Sequence, residues 1–274
     1  MRIGCCLPGG SFMPQGVAAV DPSPLQSLRS GYQAVREMGY DYIEITVARL
    51  MELSEAELAE AADAYRSGAF RVEVCNSFIP GRLPLLGAQA DHAAIRAYLQ
   101  DALRRMELVG VEYVVFGSGA ARHIPDEMDP AQAQAELDAF LTEAESIARV
   151  HGVTIVIEPL NKSEDNAINT VPAGAAIVRR LNLPNLKLLA DAYHMYREDE
   201  PLTVLVENED ILRHVHVAEP PDRLIPNRAG GDYLRTFGAV LGGTPYSGRV
   251  TIECRYEDFA SDVRMAYPFM REVF

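Results

Sequence analysis

Short apolar runs rich in β-branched residues alternate along the chain with longer segments whose apolar positions recur at helical spacing. The short runs predict strands at Arg2–Leu7, Tyr42–Thr46, Arg71–Asn76, Tyr113–Gly117, Thr154–Glu158, Leu186–Asp191, His214–Ala218 and Val250–Cys254. The longer segments predict helices at Leu25–Met38, Glu55–Ser67, His92–Val109, Ala131–Val150, Pro172–Leu181, Pro201–Asn208, Asp232–Leu241 and Glu257–Phe274. The strand segments are apolar without strict alternation, which is typical of parallel strands covered on both faces.

Eight consecutive strand–helix units predict an α/β fold, a (β/α)8 TIM barrel formed as a single domain by residues 1–274. The length of 274 residues suits such a barrel, and no linker or low-complexity segment divides the chain. A doubly wound open sheet is the competing architecture. It is disfavoured because no G-x-G-x-x-G sequence follows the first predicted strand.

The composition of the chain limits its possible binding partners and its expected cellular location. The chain carries 39 acidic and 25 basic side chains, a formal net charge of −14, which weighs against a nucleic-acid partner. No apolar run approaches the roughly 20 residues of a membrane helix, so no membrane partner is expected. The N-terminal sequence lacks the features of a secretion signal, and Cys5, Cys6, Cys75 and Cys254 form no C-x-x-C pair. These features predict a cytoplasmic protein with free, buried cysteines.

Four successive predicted strands, the fifth to the eighth, end in polar residues. They deliver Glu158, Asp191, His216 and Glu253 to the carboxyl ends of the strands, where TIM barrels carry their active sites. Carboxylates gathered there would repel one another unless protons or a cation compensated them. Three carboxylates and one imidazole suit Mn²⁺, Mg²⁺ or Fe²⁺, and Zn²⁺ also accepts these ligands. Each residue alone could be a helix cap, an ion-pair partner or a core histidine, but their coincidence on neighbouring strands predicts a metal site.

The same strand ends carry a family resemblance. The chain resembles the sugar phosphate isomerase/epimerase family of xylose isomerase-like TIM barrels, which includes the D-tagatose and D-psicose 3-epimerases. The matching motifs are Glu158–Asn161, Asp191–His194, His216–Glu219 and Glu253. The eight-unit pattern extends the resemblance over essentially the whole chain.

The resemblance implies roles for individual residues. Glu158, Asp191, His216 and Glu253 would bind one divalent metal ion, with Mn²⁺ as the first choice and Mg²⁺, Co²⁺, Fe²⁺ or Zn²⁺ as alternatives. His194 and Glu219 would bind a small-molecule sugar or sugar derivative as substrate. Family analogy also suggests a homo-oligomer.

One motif departs from the family pattern. In the epimerases an arginine follows the histidine of the seventh strand after a glutamate and two further residues. Here the segment Glu219–Arg223 contains one residue more. Arg223 is nevertheless expected to contact the substrate.

Proton abstraction next to a carbonyl is the reaction that this set of groups favours. A metal bound to a ketose carbonyl and the neighbouring hydroxyl would stabilise the enediolate formed on deprotonation. Glu158 and Glu253 belong to different strands, so we expect one to remove a proton and the other to return one from the opposite face. The predicted function is a metal-dependent sugar isomerase or epimerase. A metal-dependent lyase, hydrolase or dehydratase acting on an oxidised sugar, glycoside or inositol derivative is the alternative, and a non-catalytic sugar-binding barrel is a third.

Further polar groups are expected around this site. Glu44, Glu73 and Asn76, on the second and third predicted strands, could hydrogen-bond sugar hydroxyls. The glycine-rich segment Phe116–His123 could hold a phosphate through its backbone N–H groups and Arg122. An ordinary tight loop is the alternative interpretation of that segment, since it lacks the glycine–lysine signature of nucleotide loops.

Overall fold

The computed structural model describes residues 1–9 and 23–274, and its eight parallel strands close into a barrel. The strands are β1 (Arg2–Cys6), β2 (Tyr42–Thr46), β3 (Val74–Asn76), β4 (Tyr113–Phe116), β5 (Thr154–Ile157), β6 (Leu186–Asp191), β7 (Leu212–Val217) and β8 (Arg249–Ile252). The helices of the described chain are α1 (Pro24–Glu37), α2 (Val47–Met51), α3 (Glu55–Arg66), α4 (His92–Val109), α5 (Gly119–Arg122), α6 (Pro130–Val150), α7 (Val171–Leu181), α8 (Ala192–Arg197), α9 (Thr203–Glu207), α10 (Asp232–Gly242) and α11 (Phe259–Val273). Each strand pairs with its successor and β1 pairs with β8, which confirms the predicted (β/α)8 TIM barrel.

The third strand and the helix predicted at Pro201–Asn208 are shorter than their apolar patterns indicate. The third strand begins at Val74 rather than Arg71, because its ladder with β2 starts where Val74 lies opposite Glu44. The helix predicted at Pro201–Asn208 covers only Thr203–Glu207. The Asn208 side chain donates to the carbonyl of Val204 at 2.8 Å. This side-chain bond competes with the backbone hydrogen bond that would extend the helix.

Three short helices of the described chain lie just after strands: α2 after β2, α5 after β4 and α8 after β6. The sequence pattern does not predict them, because four to six residues are too few to display a helical repeat. The Asp191 side chain caps α8 by accepting from the backbone N–H of Tyr193 at 2.7 Å and of His194 at 3.0 Å. This cap fixes the position of His194 relative to Asp191.

Ion pairs join the strands at the amino-terminal face of the barrel. Arg249, at the start of β8, donates to Glu73 at 2.7 Å and to Glu112 at 2.6 Å. Arg2, at the start of β1, donates to Glu73 at 2.5 Å. Glu73 precedes β3 and is buried. The prediction that Glu73 contacts the substrate is wrong, because these arginines hold its carboxylate at the end of the barrel opposite the carboxyl ends of the strands.

Apolar packing forms one large core cluster and a separate smaller one. The smaller cluster consists of Tyr42, Val74, Val115, Val156 and Leu189 from five consecutive strands. The four cysteines are buried and free, as expected. Within the described residues, no helix combines the length and apolar character needed to cross a bilayer.

Glu200 makes the stability of this fold pH-dependent. Its carboxylate accepts from the backbone N–H of Val171, at the start of α7, at 2.9 Å. Burial raises the Glu200 pKa from 4.5 to about 7, so the folded state binds a proton more tightly than the unfolded chain does. The resulting stabilisation is complete below about pH 4.5 and is lost as the pH rises to about 7.

We therefore expect Glu200→Gln to raise the free energy of unfolding at pH 8. The gain over wild type is about 1 kcal/mol. This is well below the free energy that the whole pKa shift would give, because the carboxylate is partly in solvent. Urea unfolding at pH 5 and pH 8 measures it, with the exposed Glu207→Gln as the control. An equal gain at both pH values would contradict the assignment.

Candidate metal centre

Four buried side chains meet at the carboxyl ends of neighbouring strands. Glu158 follows β5, Asp191 ends β6, His216 lies in β7 and Glu253 follows β8. One potential ligand atom from each lies within 4.8 Å of the others. From Nδ1 of His216, the distance is 3.0 Å to Glu158 Oε1, 3.4 Å to Glu253 Oε2 and 4.0 Å to Asp191 Oδ2. The structure thus brings together all four residues that the strand ends predicted.

The donor set fits a divalent cation. Asp191 Oδ1 is engaged by backbone N–H groups, but its Oδ2 is buried without a hydrogen-bond partner in the described chain. A buried carboxylate oxygen without a donor is costly, and a cation would remove that cost. Ligands about 2.0–2.2 Å from one ion lie at most about 4.4 Å apart, so small side-chain movements would suffice here. Three carboxylates and one imidazole suit the hard and borderline ions expected from the sequence.

Glu44 orients the imidazole of His216. Its Oε1 lies 2.9 Å from His216 Nε2, and its Oε2 lies 3.0 Å from His214 Nε2. All three side chains are fully buried. In the neutral imidazole, donation from Nε2 to Glu44 leaves the lone pair on Nδ1, which faces the three carboxylates. This is the arrangement in which a histidine binds a metal. Glu44 therefore lies beneath the site, and the expectation that it contacts a sugar hydroxyl is wrong.

The charges of this cluster depend on one another. Burial disfavours the cation of His216, but the surrounding carboxylates, Glu44 first, outweigh burial and raise the His216 pKa. Burial raises the pKa of Glu158. Burial acts in the same direction on Glu253, but His216 and Arg223 outweigh it and lower the Glu253 pKa to about 2. The cluster thus requires positive charge at its centre.

Arg223 and Asn76, both expected at the substrate, hold Glu253 in place. Arg223 Nη2 lies 2.6 Å from Glu253 Oε2, and Asn76 Nδ2 donates to Glu253 Oε1 at 3.2 Å. The extra residue before Arg223 is accommodated in a tight turn, because Glu219 and Leu224 exchange backbone hydrogen bonds of 2.8 and 2.9 Å. This turn returns Arg223 to the site despite the changed spacing.

His194 presents a free donor. Its Nδ1 accepts from the backbone N–H of Asn161 at 3.1 Å and from the Asn161 side-chain amide at 2.8 Å. The proton therefore resides on Nε2, which is buried and has no hydrogen-bond partner within the described residues. This geometry suits the predicted role in binding a substrate oxygen. Sequence reasoning missed Asn161 as the residue that sets this tautomer, although it lies within the motif that begins at Glu158.

Glu219 supports a loop. Its Oε1 accepts from the backbone N–H of Gly231 at 2.6 Å, and its Oε2 is buried without a partner in the described chain. The side chain is 4% exposed. The structure thus places Glu219 where it fastens the chain between β7 and α10.

Arg122 does not reach the pocket. Its side chain is fully buried, pairs with Asp165 at 2.7 Å, and donates to the carbonyls of Phe116 at 2.6 Å and Glu158 at 2.9 Å. The predicted phosphate contact is wrong, because every described contact of Arg122 is internal. Arg122 instead fixes the ends of β4 and β5 and the backbone of Glu158.

A cavity of about 410 Å³ opens above the cluster. The residues that line it are Ser77, Gly117, Glu158, Leu160, Ser163, Glu164, Tyr193, Arg197, Arg223, Glu253 and Arg255. Sequence reasoning missed Tyr193, Arg197 and Arg255, since they lie beyond strand ends in segments without a periodic pattern. Tyr193 packs beneath the Arg223 guanidinium, 5.0 Å from ring centre to Cζ.

Gly117 leaves room for Glu158. A Cβ at position 117 would lie 1.8 Å from Glu158 Oε2, a separation that no side chain can tolerate. We expect Gly117→Ala to displace this carboxylate and to lower kcat/KM by about 100-fold, the usual effect of an ångström-scale misplacement. Steady-state kinetics and Mn²⁺ titration calorimetry measure the effect. Gly242→Ala, whose Cβ meets nothing within 4 Å, is the matched control, and equal behaviour of the two variants would contradict the prediction.

Comparison with known proteins identifies the family of the chain. Residues 32–272 match the family described as xylose isomerase-like TIM barrel. The D-psicose 3-epimerase of Agrobacterium fabrum is 24% identical over 230 residues, which make up 81% of this chain and 77% of that protein. The ketose 3-epimerase of Arthrobacter globiformis is 26% identical over 275 residues, covering 96% of this chain and 85% of that protein.

A solved structure shows the same fold. The crystal structure of D-psicose 3-epimerase with D-tagatose from Clostridium cellulolyticum H10 superposes with a TM-score of 0.81 at 20% identity, covering 100% of this chain and 99% of that one. The predicted resemblance and the predicted isomerase or epimerase class are confirmed. The chain belongs to the xylose isomerase-like TIM barrel family.

Proposed function

We propose that this enzyme epimerises a ketose at the carbon next to its carbonyl, with a divalent ion held by Glu158, Asp191, His216 and Glu253. One observation carries the proposal: Glu158 and Glu253, from different strands, both lie within 3.4 Å of the same imidazole nitrogen. Two carboxylates so placed can reach a substrate carbon from two sides. The names of the relatives, D-psicose and ketose 3-epimerases, support C3 of a ketose as the reacting centre.

The ion would supply one form of chemistry. When bound, it polarises the ketose carbonyl and stabilises the negative charge that develops on deprotonation. Mn²⁺ is our first choice, because carboxylate-rich sites with one histidine suit it. Glu44 keeps Nδ1 of His216 available as a ligand, and Arg223 and Asn76 hold Glu253 in position.

The two carboxylates would divide the proton transfer between them. Arg223 and His216 lower the pKa of Glu253 to about 2 against the effect of burial, so Glu253 is ionised. It would therefore accept the C3 proton from one of the two epimers. Glu158, which belongs to a different strand, would return a proton to the opposite face. The Nε2–H of His194 would orient a substrate oxygen. In the reverse reaction the two residues exchange roles.

The cellular location, ligand and oligomeric state of the enzyme are part of this proposal. We place it in the cytoplasm, where reducing conditions keep free thiols such as its four buried cysteines intact. Its ligand is a small-molecule sugar, and assembly into a homo-oligomer stays a prediction from family analogy.

Reaction in D₂O tests this function. Protein stripped with EDTA and reloaded with Mn²⁺ is incubated with D-fructose, D-psicose or D-tagatose, and the products are followed by NMR and mass spectrometry. We expect the C3 epimer with one solvent deuterium at C3, and no turnover before reloading. Products that have lost water or been cleaved would instead support a lyase or dehydratase.

A further inference from the structure

Two arginines line the pocket but have no part in the proposed proton transfer. Arg197 ends α8, and Arg255 lies two residues after Glu253. Both are exposed. Arg197 Nη1 donates to the hydroxyl of Tyr193 at 2.9 Å, and within the described residues neither arginine has a carboxylate within 4.0 Å.

The other charged groups of the pocket wall are paired. Glu158 lies 3.0 Å from His216, and Arg223 contacts both Glu253, at 2.6 Å, and Glu164, at 3.4 Å. Most arginines elsewhere in the described chain are also in ion pairs. Among the residues that line the pocket, Arg197 and Arg255 are therefore the charged side chains without an ion-pair partner in the described chain. The formal net charge of the protein is −14.

Each arginine is tied to a group that faces the substrate. Arg197 follows His194 by three residues, so both lie on one face of α8, and Tyr193 connects Arg197 to Arg223 by contacting both guanidinium groups. The backbone N–H of Arg255 donates to the carbonyl of Arg223 at 2.9 Å. The two side chains are thus positioned by the same framework that holds Glu253 and His194.

We propose that Arg197 and Arg255 form a subsite for an anionic group at the end of the ketose remote from its reacting carbons. A guanidinium binds a carboxylate or a phosphate monoester through two parallel N–H···O bonds, so both chemistries suit the subsite. The substrate class is then an acidic ketose, either a ketose phosphate or a keto-uronate. The proposal rests on the epimerase function and moves the anion site that the sequence placed at Arg122 to the pocket mouth.

Three matched ketoses test the subsite. D-Fructose, D-fructose 6-phosphate and D-fructuronate differ only at C6, which carries a hydroxyl, a phosphate and a carboxylate respectively. We expect kcat/KM of the Mn²⁺-loaded enzyme to be about tenfold or more higher for one acidic ketose than for D-fructose, the effect of one charge-assisted contact. The preferred acidic ketose identifies the anion, and the preference should weaken as ionic strength rises.

Variants assign the effect to the two arginines. Arg197→Gln and Arg255→Gln should each lower the ratio of kcat/KM for the acidic ketose to that for D-fructose by about tenfold. Arg264→Gln removes a charge from an exposed position on α11 and should leave that ratio unchanged. A wild-type enzyme that prefers D-fructose, or a ratio that neither pocket variant changes, would overturn the proposal.

A binding measurement separates this proposal from the epimerase function. D-Glucitol and D-glucitol 6-phosphate cannot react, and calorimetry gives their affinities for the Mn²⁺-loaded protein. If no ketose turns over but the phosphate binds about tenfold tighter and Arg255→Gln abolishes the difference, the subsite stands and the epimerase function fails. If the two hexitols bind equally and neither acidic ketose is preferred over D-fructose, the subsite fails.

Discussion

Glu158→Gln and Glu253→Gln are each expected to abolish epimerisation, with kcat lowered by about 100- to 10,000-fold, the usual contribution of a positioned acid or base. A glutamine at either position keeps the size of the side chain but cannot carry a proton to or from carbon. Initial rates with Mn²⁺-loaded protein measure the loss. A variant with a near-wild-type rate would remove that residue from the chemistry.

The two variants should also differ in D₂O. With Glu158 replaced, Glu253 still removes and returns a proton on one face, so the C3 hydrogen exchanges with solvent without inversion. With Glu253 replaced, we expect no washout from the epimer that Glu253 deprotonates. Metal content must be equalised first, because both residues are also proposed ligands, and the exposed Glu37→Gln on α1 is the control. Full inversion in either variant would contradict the two-face scheme.

Glu44→Gln is expected to weaken Mn²⁺ binding by about 10- to 100-fold although residue 44 is not a proposed ligand. The carboxylate of Glu44 accepts from both His214 and His216 at 3.0 and 2.9 Å. A glutamine amide has a single oxygen, so it must present its NH₂ group to one of the two imidazoles. Where the NH₂ group faces His216, Nε2 of His216 must accept, so its Nδ1 carries the proton and cannot bind a metal.

Three measurements separate this effect from a general loss of structure. Calorimetry gives the Mn²⁺ affinity. ¹⁵N NMR of the metal-free protein, at a pH above the raised pKa of His216, reports which nitrogen of the neutral imidazole is protonated. Thermal unfolding followed by circular dichroism should show that the variant is folded. An unchanged tautomer together with an affinity within twofold of wild type would show that Glu44 does not position His216.

The barrel and its four clustered residues could be predicted because both depend on local signals. Alternating apolar runs define the strand–helix units, and closure of the sheet places successive strand ends side by side. Glu158 and Asp191 could therefore be assigned from their places after or at the ends of apolar segments.

Other parts of the site depend on contacts that no local pattern contains. Glu44 and His216 are 172 residues apart in the chain, and only the curvature of the closed barrel brings them to 2.9 Å. The burial of Arg122 has the same origin, since its partner Asp165 is 43 residues away in the next connection. A charged residue beside a glycine-rich loop resembles a ligand group in sequence whether it faces solvent or is enclosed.

The ion pairs of Arg2, Glu73 and Arg249 have a consequence for how this enzyme can change over generations. They connect the starts of β1, β3 and β8 at the amino-terminal face of the barrel, far from the metal site at the carboxyl ends of the strands. Replacement of the loops that follow the strands, including the turn before Arg223 and the segment around Arg255, would leave these ion pairs intact. New sugar preferences can therefore arise in the loops at the carboxyl ends of the strands without destabilising the closed sheet.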